Sequence, residues 1–106
     1  MINNTSVKTF DYLGYSFEDL ILSLGRLPIK GEEDIDHKVP ISWFKEGTEM
    51  YIVFDLSNLQ NLCSKKNRQK GNRFSHPISE EYFNKIKPFI KEKYITKIKT
   101  IKDGKQ

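Results

Sequence analysis

Asp36 and His37 are adjacent side chains that could act together in hydrolysis. Mg²⁺ prefers oxygen ligands, keeps several waters and usually needs only one or two protein groups, so Asp36 together with Asn67 would suffice to hold it. A histidine with an ordinary pKa of about 6.5 is partly neutral at working pH and can take a proton from water. These residue types therefore fit metal-assisted hydrolysis.

The local structure around Asp36 and His37 decides whether both can enter one site. Ile35 to Val39, followed by Pro40, is predicted to be a short extended segment after an acidic loop. Neighbours on a strand point to opposite faces, so the two side chains can share a site only if the strand bends or a loop begins there. We expect Asp36 and His37 on a strand or at its end.

A basic segment follows at residues 64–73, with no acidic residue in it. Such side chains can contact backbone phosphates without reading base sequence. A solvated helix face is the plainer explanation of the same run. The candidate DNA-contacting residues are Lys65, Lys66, Arg68, Lys70 and Arg73.

Charge is divided unevenly along the 106 residues. Residues 1–61 carry five Lys/Arg and ten Asp/Glu, a net charge of −5, whereas residues 62–106 carry thirteen and four, a net charge of +9. This asymmetry suits a protein that presents one face to a polyanion, although basic tails are also common on ordinary soluble surfaces. The lone Cys63 suits a reducing compartment, and no apolar run approaches a membrane span, so we expect a cytoplasmic protein without a membrane partner.

The chain length favours a single domain over residues 1–106, with residues 1–9 as a loose arm. Ser16 and Asp19 form a capping-box pattern that predicts a helix over 16–24, ended by Gly25. Residues 41–54 are compatible with a helix from about Thr48 or with a compact loop, and Trp43 and Phe44 suit the core better than a base-stacking role.

The next elements are predicted from local signals. Residues 58–62 suit a short strand or turn that leads into a basic helix from about Ser64 to Lys70, with Gly71 at its end. Ser79 begins a helical segment over 79–96 that Pro88 must kink or split, and the tail from Lys97 stays open between helix, strand and disorder. His76, beside Pro77, is expected to be a loop residue rather than a ligand.

Three segments match one known pattern when taken together: D-H-K-V-P at 36–40, N-L-Q-N-L-C at 58–63 and N-R-Q-K-G at 67–71. In this order the chain resembles the HNH, or ββα-metal, nucleases over residues 34–74. The step of nine positions between Asn58 and Asn67 is similar to the HNH domain of RNA-guided DNA nucleases. Leu13 to Ser16 and the following helix weakly resemble the start of small phage-type HNH proteins.

The resemblance implies an α+β fold: a small ββα-metal core of short antiparallel strands plus a helix, with flanking N- and C-terminal helices. It also implies that His37 is the general base, that Asp36 and Asn67 hold Mg²⁺ or Mn²⁺, and that Asn58 fixes the catalytic loop. Because the C-x-x-C pairs of many relatives are missing, we expect no structural zinc.

The expected activity is a DNA endonuclease that uses one metal ion and a histidine base. Separately, each short motif is more often structural, for example an Asp-His surface hydrogen bond, and only their joint order favours the enzyme. One alternative is a weakly active HNH-fold module for nucleic-acid binding or phage assembly, and another is a basic protein-interaction adaptor. Target sequence, nick or double-strand break, DNA or structured RNA, and a homodimer or a phage or host protein partner all stay open.

Overall fold

The computed structural model describes residues 10–74 and 76–102 and is an α+β fold. Residues 10–13 are helical, and single 3₁₀ turns lie at Ile41–Trp43, Leu56–Asn58 and Lys87–Phe89. The helices are α1 (Phe17–Leu24), α2 (Met50–Val53), α3 (Ser64–Lys70), α4 (Glu80–Ile86) and α5 (Glu92–Ile95), and the strands are β1 (Glu33–His37), β2 (Leu59–Cys63), β3 (Ile78–Ser79) and β4 (Thr100–Ile101). The predicted α+β class with flanking helices is confirmed.

Helix α1 begins and ends where its local signals predicted. The Ser16 hydroxyl accepts from the Asp19 amide, and the Asp19 carboxylate accepts from the Ser16 amide, both at 3.0 Å. These two bonds satisfy amide groups that the first turn of a helix leaves unpaired. Gly25 follows with a φ of 88°, a left-handed conformation that costs glycine least.

The two longer strands and α3 form a ββα unit. β1 pairs with β2 in antiparallel register, so that Asp36 lies opposite Gln60 and His37 opposite Leu59. α3 follows β2 without a connecting loop and packs on both strands. Gly71 ends α3 at a φ of 54°. The basic helix and its glycine stop are therefore confirmed, and residues 59–63 form a strand rather than a turn. The first strand begins at Glu33, inside the predicted acidic loop, and ends at His37 rather than at Val39, because its pairing with β2 covers residues 33–37.

The segments around this unit resolve the alternatives that the sequence left open. Residues 41–54 contain one 3₁₀ turn and the short helix α2, which begins at Met50 rather than near Thr48. Ser79 caps α4 through the Tyr82 amide, and Pro88 separates α4 from α5 by a 3₁₀ turn. In the tail, β4 pairs in parallel with β3. The expected loose arm at 1–9 lies outside the described residues.

The apolar core lies beside the ββα unit and is built mainly from the middle and C-terminal segments. Trp43 and Phe44 are buried in it, as predicted, and the Trp43 ring stacks on Tyr94 with centroids 4.5 Å apart and an interplanar angle of 1°. Across residues 10–74 and 76–102, no helix is long and apolar enough to cross a membrane. The buried members of this core are Val39, Trp43, Phe44, Ile52, Val53, Ile78, Tyr82, Ile86, Ile90 and Ile98.

Candidate functional site

A cleft of about 220 Å³ lies where the end of β1 meets the end of α3. Its wall includes Asp36, His37 and Asn67, three of the four residues that the motif predicts for the reaction or the metal. Ile35, Pro40, Ile41, Lys70, Gly71 and Asn72 complete the lining. Residues from the first and third motif segments, far apart in the chain, thus meet at one concave surface.

The Asp36 carboxylate is buried, with 8% of the residue exposed, and both of its oxygens are engaged. Oδ2 accepts from the Gln60 side-chain amide at 3.0 Å, across the β1–β2 pair. Oδ1 accepts from the Lys70 ammonium at 3.3 Å. A buried carboxylate needs such partners because an unpaired charge away from water is costly. Asp36 is therefore held in one orientation on the face of β1 that contacts α3.

His37 is the last residue of β1, so the loop that the sequence required begins there. Its ring packs edge-on against Phe54 with centroids 4.4 Å apart. Burial lowers the pKa of His37; the Asp36 charge opposes this shift and the Lys70 charge adds to it. The Nε2 atom is buried, and no described residue gives it a hydrogen bond. Burial thus favours the neutral imidazole, and one ring nitrogen is not used by the described fold.

Asn58 is fully buried and joins the loop after β1 to the core. Its Oδ1 accepts from the Val39 amide at 2.7 Å, and its Nδ2 donates to the carbonyls of Val39 at 3.2 Å and Val53 at 3.0 Å. In addition, the Asn58 carbonyl accepts from the Lys38 amide at 2.7 Å. Asn58 does not line the cleft, but it fixes the backbone directly after His37, which is the position that the resemblance implies for it.

Asn67 lines the cleft from α3, but its side chain contacts Asp34 rather than Asp36. Its side-chain amide donates to Asp34 Oδ2 at 3.2 Å. Asp34 precedes Asp36 by two residues in β1 and so shares its face. The donating group is the amide nitrogen, which leaves the Asn67 carbonyl oxygen as the atom that could ligate an ion.

Four of the five candidate DNA-contacting residues are exposed, and Lys70 is the buried one. Lys65, Lys66 and Arg68 are exposed along α3. The Arg73 guanidinium donates to the carbonyls of Gln69 and Lys70 and so caps the end of α3. Lys70 differs from the expectation of a phosphate contact, because it is buried at 7% exposure and already paired with Asp36.

The donor set suits a hard divalent ion held by few protein groups. Within the described part of the chain, no group of three or more His, Cys, Asp or Glu residues could hold a metal by itself. Mg²⁺ does not require such a cage, since one or two protein oxygens together with water and a substrate phosphate are its usual ligands. Asp36 and Asn67 fit that pattern, provided that an ion can compete with the Lys70 ammonium for Asp36.

Sequence reasoning missed three contributors: Asp34, Gln60 and the pairing role of Lys70. Asp34 has the i, i+2 spacing to Asp36 that places two strand residues on one face. Lys70 is three residues after Asn67, a spacing that places both on one face of a helix. Gln60 could be found only from the strand register. The spacing of Asp34 was therefore visible in the sequence, whereas the contacts of Gln60 and Lys70 with Asp36 depend on the pairing and packing of distant segments.

No protein-family model, no curated protein and no solved structure matches this chain.

Proposed function

We propose that the protein is a metal-dependent DNA endonuclease of the HNH type. The observation that supports this proposal most is the convergence of Asp36, His37 and Asn67 on one cleft of a ββα unit. The motif order alone would also fit three unrelated structural residues. Their meeting at the end of β1 and α3 is what a shared chemical task requires.

In the proposed reaction, His37 accepts a proton from the attacking water, and its lowered pKa favours the neutral form that this role needs. Asn58 holds the backbone on which His37 is placed. A divalent ion, when bound by Asp36 and Asn67, would supply positive charge for a phosphate oxygen and the departing 3′ oxygen. The expected product carries a 5′ phosphate.

The proposed DNA path runs over the exposed side of α3. Lys65, Lys66 and Arg68 point to solvent there, and like charges on one helix without acidic neighbours attract a polyanion. Such contacts position the duplex but carry no sequence information. We propose a cytoplasmic location, since the exposed lone thiol of Cys63 suits a reducing compartment.

The activity is tested by incubating supercoiled plasmid with the protein in Mg²⁺ or Mn²⁺ and in EDTA. Nicked or linear product should form only with the metal, while circular dichroism should show the fold unchanged by the chelator, since no structural metal is expected. His37→Ala should reduce the cleavage rate by about 10²- to 10⁴-fold without loss of DNA binding. The control is Asn84→Ala, because Asn84 is an exposed polar residue on α4 and lies outside the cleft. A His37→Ala protein that cuts at the wild-type rate under single-turnover conditions would disprove the assignment.

Asn67→Ala separates the ligand role from the base role. It should weaken metal binding, so that higher Mg²⁺ or Mn²⁺ concentrations recover part of the rate, whereas the same increase should not rescue His37→Ala. Identical metal dependence in both variants would remove Asn67 from the metal site.

A nucleic-acid-binding or phage-assembly module with little activity is the second candidate. The observation that favours it is that both Asp36 oxygens already accept hydrogen bonds, from Gln60 and Lys70. A divalent ion would have to compete with these partners for the carboxylate. This candidate predicts salt-sensitive DNA binding in EDTA and no plasmid cleavage at any Mg²⁺ or Mn²⁺ concentration.

A further inference from the structure

Lys70 is a buried cation inside the cleft where a divalent ion is proposed to bind. Its ammonium lies 3.3 Å from Asp36 Oδ1 and 3.1 Å from the His37 carbonyl oxygen. The side chains of Lys70 and Asp36 are only 5% and 9% exposed. Lysine is rarely buried without a paired charge, so this contact is a built part of the site rather than a surface ion pair.

The ammonium and a divalent ion would compete for the same carboxylate. Asp36 Oδ2 is held by Gln60, and Oδ1 is held by Lys70, so an ion on Asp36 would lie within a few ångströms of a positive charge. The repulsion between these charges is weakly screened in a buried setting. Ion binding therefore requires the ammonium to move from Asp36.

The contacts of Lys70 also show why this movement is feasible. An ammonium has three donors, and the His37 carbonyl is a second acceptor for it. Asn67 lies one turn earlier on the same helix face, so the competing cation and the proposed second ligand are carried by one rigid element. We infer that Lys70 is an internal counter-ion, an inference that rests on the proposed function. Lys70 orients the Asp36 carboxylate before a divalent ion binds, and its ammonium moves away from that carboxylate when the ion binds.

The inference is tested by measuring Mn²⁺ binding in the absence of DNA with electron paramagnetic resonance or calorimetry. Lys70→Met removes the charge and retains most of the side-chain volume. Its dissociation constant for Mn²⁺ should be at least about tenfold lower than that of the wild type, because the repulsion is gone. Mn²⁺ should also raise the melting temperature of Lys70→Met more than that of the wild type. Lys85→Met is the matched control, since it breaks the Lys85–Asp55 pair, which does not line the cleft, and should leave Mn²⁺ affinity unchanged.

The outcomes distinguish this inference from the proposed function. Mn²⁺ binding that is equal in wild type and Lys70→Met, or weaker in the variant, overturns the counter-ion role and leaves the metal site standing. Absence of Mn²⁺ binding to either protein overturns both.

A second measurement on the wild type applies even if Lys70→Met does not fold. The ¹⁵N-detected ammonium signal of Lys70 should shift when Mg²⁺ is added to saturation, while the Lys85 ammonium signal should not. A Lys70 signal that is unchanged at saturating Mg²⁺ overturns the inference.

Discussion

The ββα unit and the apolar core are stabilised by different interactions. Among the residues of β1, β2 and α3, Leu59 is the one buried apolar side chain, and it lies outside the main core cluster. The buried charged residues of the unit are Asp36 and Lys70, which pair with each other, whereas the core is closed by residues such as Ile86 and Ile90 with no exposed surface. The stabilisation from apolar burial does not depend on the direction of contacts, whereas hydrogen bonds and ion pairs require partners in a defined geometry.

This difference shows how a small chain can separate stability from reactivity. The core can stabilise the fold without constraining which polar groups the cleft presents. The ββα unit can hold polar groups because Leu59 is its only buried apolar side chain and the core supplies most of the apolar burial. Asn58 is where the two regions meet, since it bonds Val39 after β1 and Val53 in α2. Substitutions in the core, at this joint and on the surface of the unit should therefore have effects of decreasing size.

The largest effect is expected in the core. Ile86→Ala should lower the free energy of unfolding by about 2–5 kcal/mol, because it leaves a cavity at a position with no exposed surface. Urea denaturation measures this change. Leu22→Ala is the control, since Leu22 is 79% exposed and its truncation should change stability by no more than about 0.5 kcal/mol. Equal effects of the two substitutions would contradict the location of the core.

The second-largest effect is expected at Asn58, which connects the two regions. Asn58→Ala leaves the amide and carbonyl of Val39 and the carbonyl of Val53 without their side-chain partner. The expected cost is about 1–3 kcal/mol in stability, together with a loss of cleavage, because the backbone after His37 is released. Asn84→Ala, an exposed asparagine on α4, should change neither quantity. A stable and fully active Asn58→Ala protein would show that the two regions are not joined through this residue.

The exposed side of the ββα unit should affect binding rather than stability. Lys65→Ala and Arg68→Ala should each reduce the slope of log affinity against log salt concentration by about one, because each would remove one proposed phosphate contact. Lys85→Ala should leave the slope unchanged, as Lys85 pairs with Asp55 outside the cleft. Unchanged slopes in both α3 variants would move the DNA path to the lysines between 87 and 99.

The smallest effect is expected at Glu33, which ties the start of β1 to the preceding loop. Its carboxylate accepts from Arg26, with Nη2 and Oε2 2.8 Å apart, and this contact lowers the pKa of Glu33 to about 2. Because the folded-state pKa lies below the ordinary value of 4.5, the stabilisation of the fold by ionised Glu33 is fully present above pH 4.5 and is lost as the pH falls toward 2. The urea midpoint should fall less between pH 6 and pH 3 in Glu33→Gln than in the wild type. An equal fall of the urea midpoint in both proteins would show that ionised Glu33 does not stabilise the fold.

Local signals were sufficient to predict much of the fold. Ser16, Ser79 and Gly71 mark helix ends through bonds or dihedral angles within a few residues, so each was identified from the sequence. The meeting of Asp36, His37 and Asn67 at one cleft was anticipated from the motif order. The pairing of Lys70 with Asp36 was not, because a lysine in a basic run resembles its neighbours until the packing of α3 on β1 is known.

The stacking of Trp43 on Tyr94 determines what intrinsic fluorescence can report. Trp43 is the single tryptophan of the chain, and its indole is buried in the apolar core beside Tyr94. Its emission therefore follows solvent entry into the core. The 3₁₀ turn Ile41–Trp43 also connects the indole to the cleft, because Ile41 lines the cleft wall. A single indole thus reports on unfolding of the core and on any movement of the turn that joins the core to the cleft.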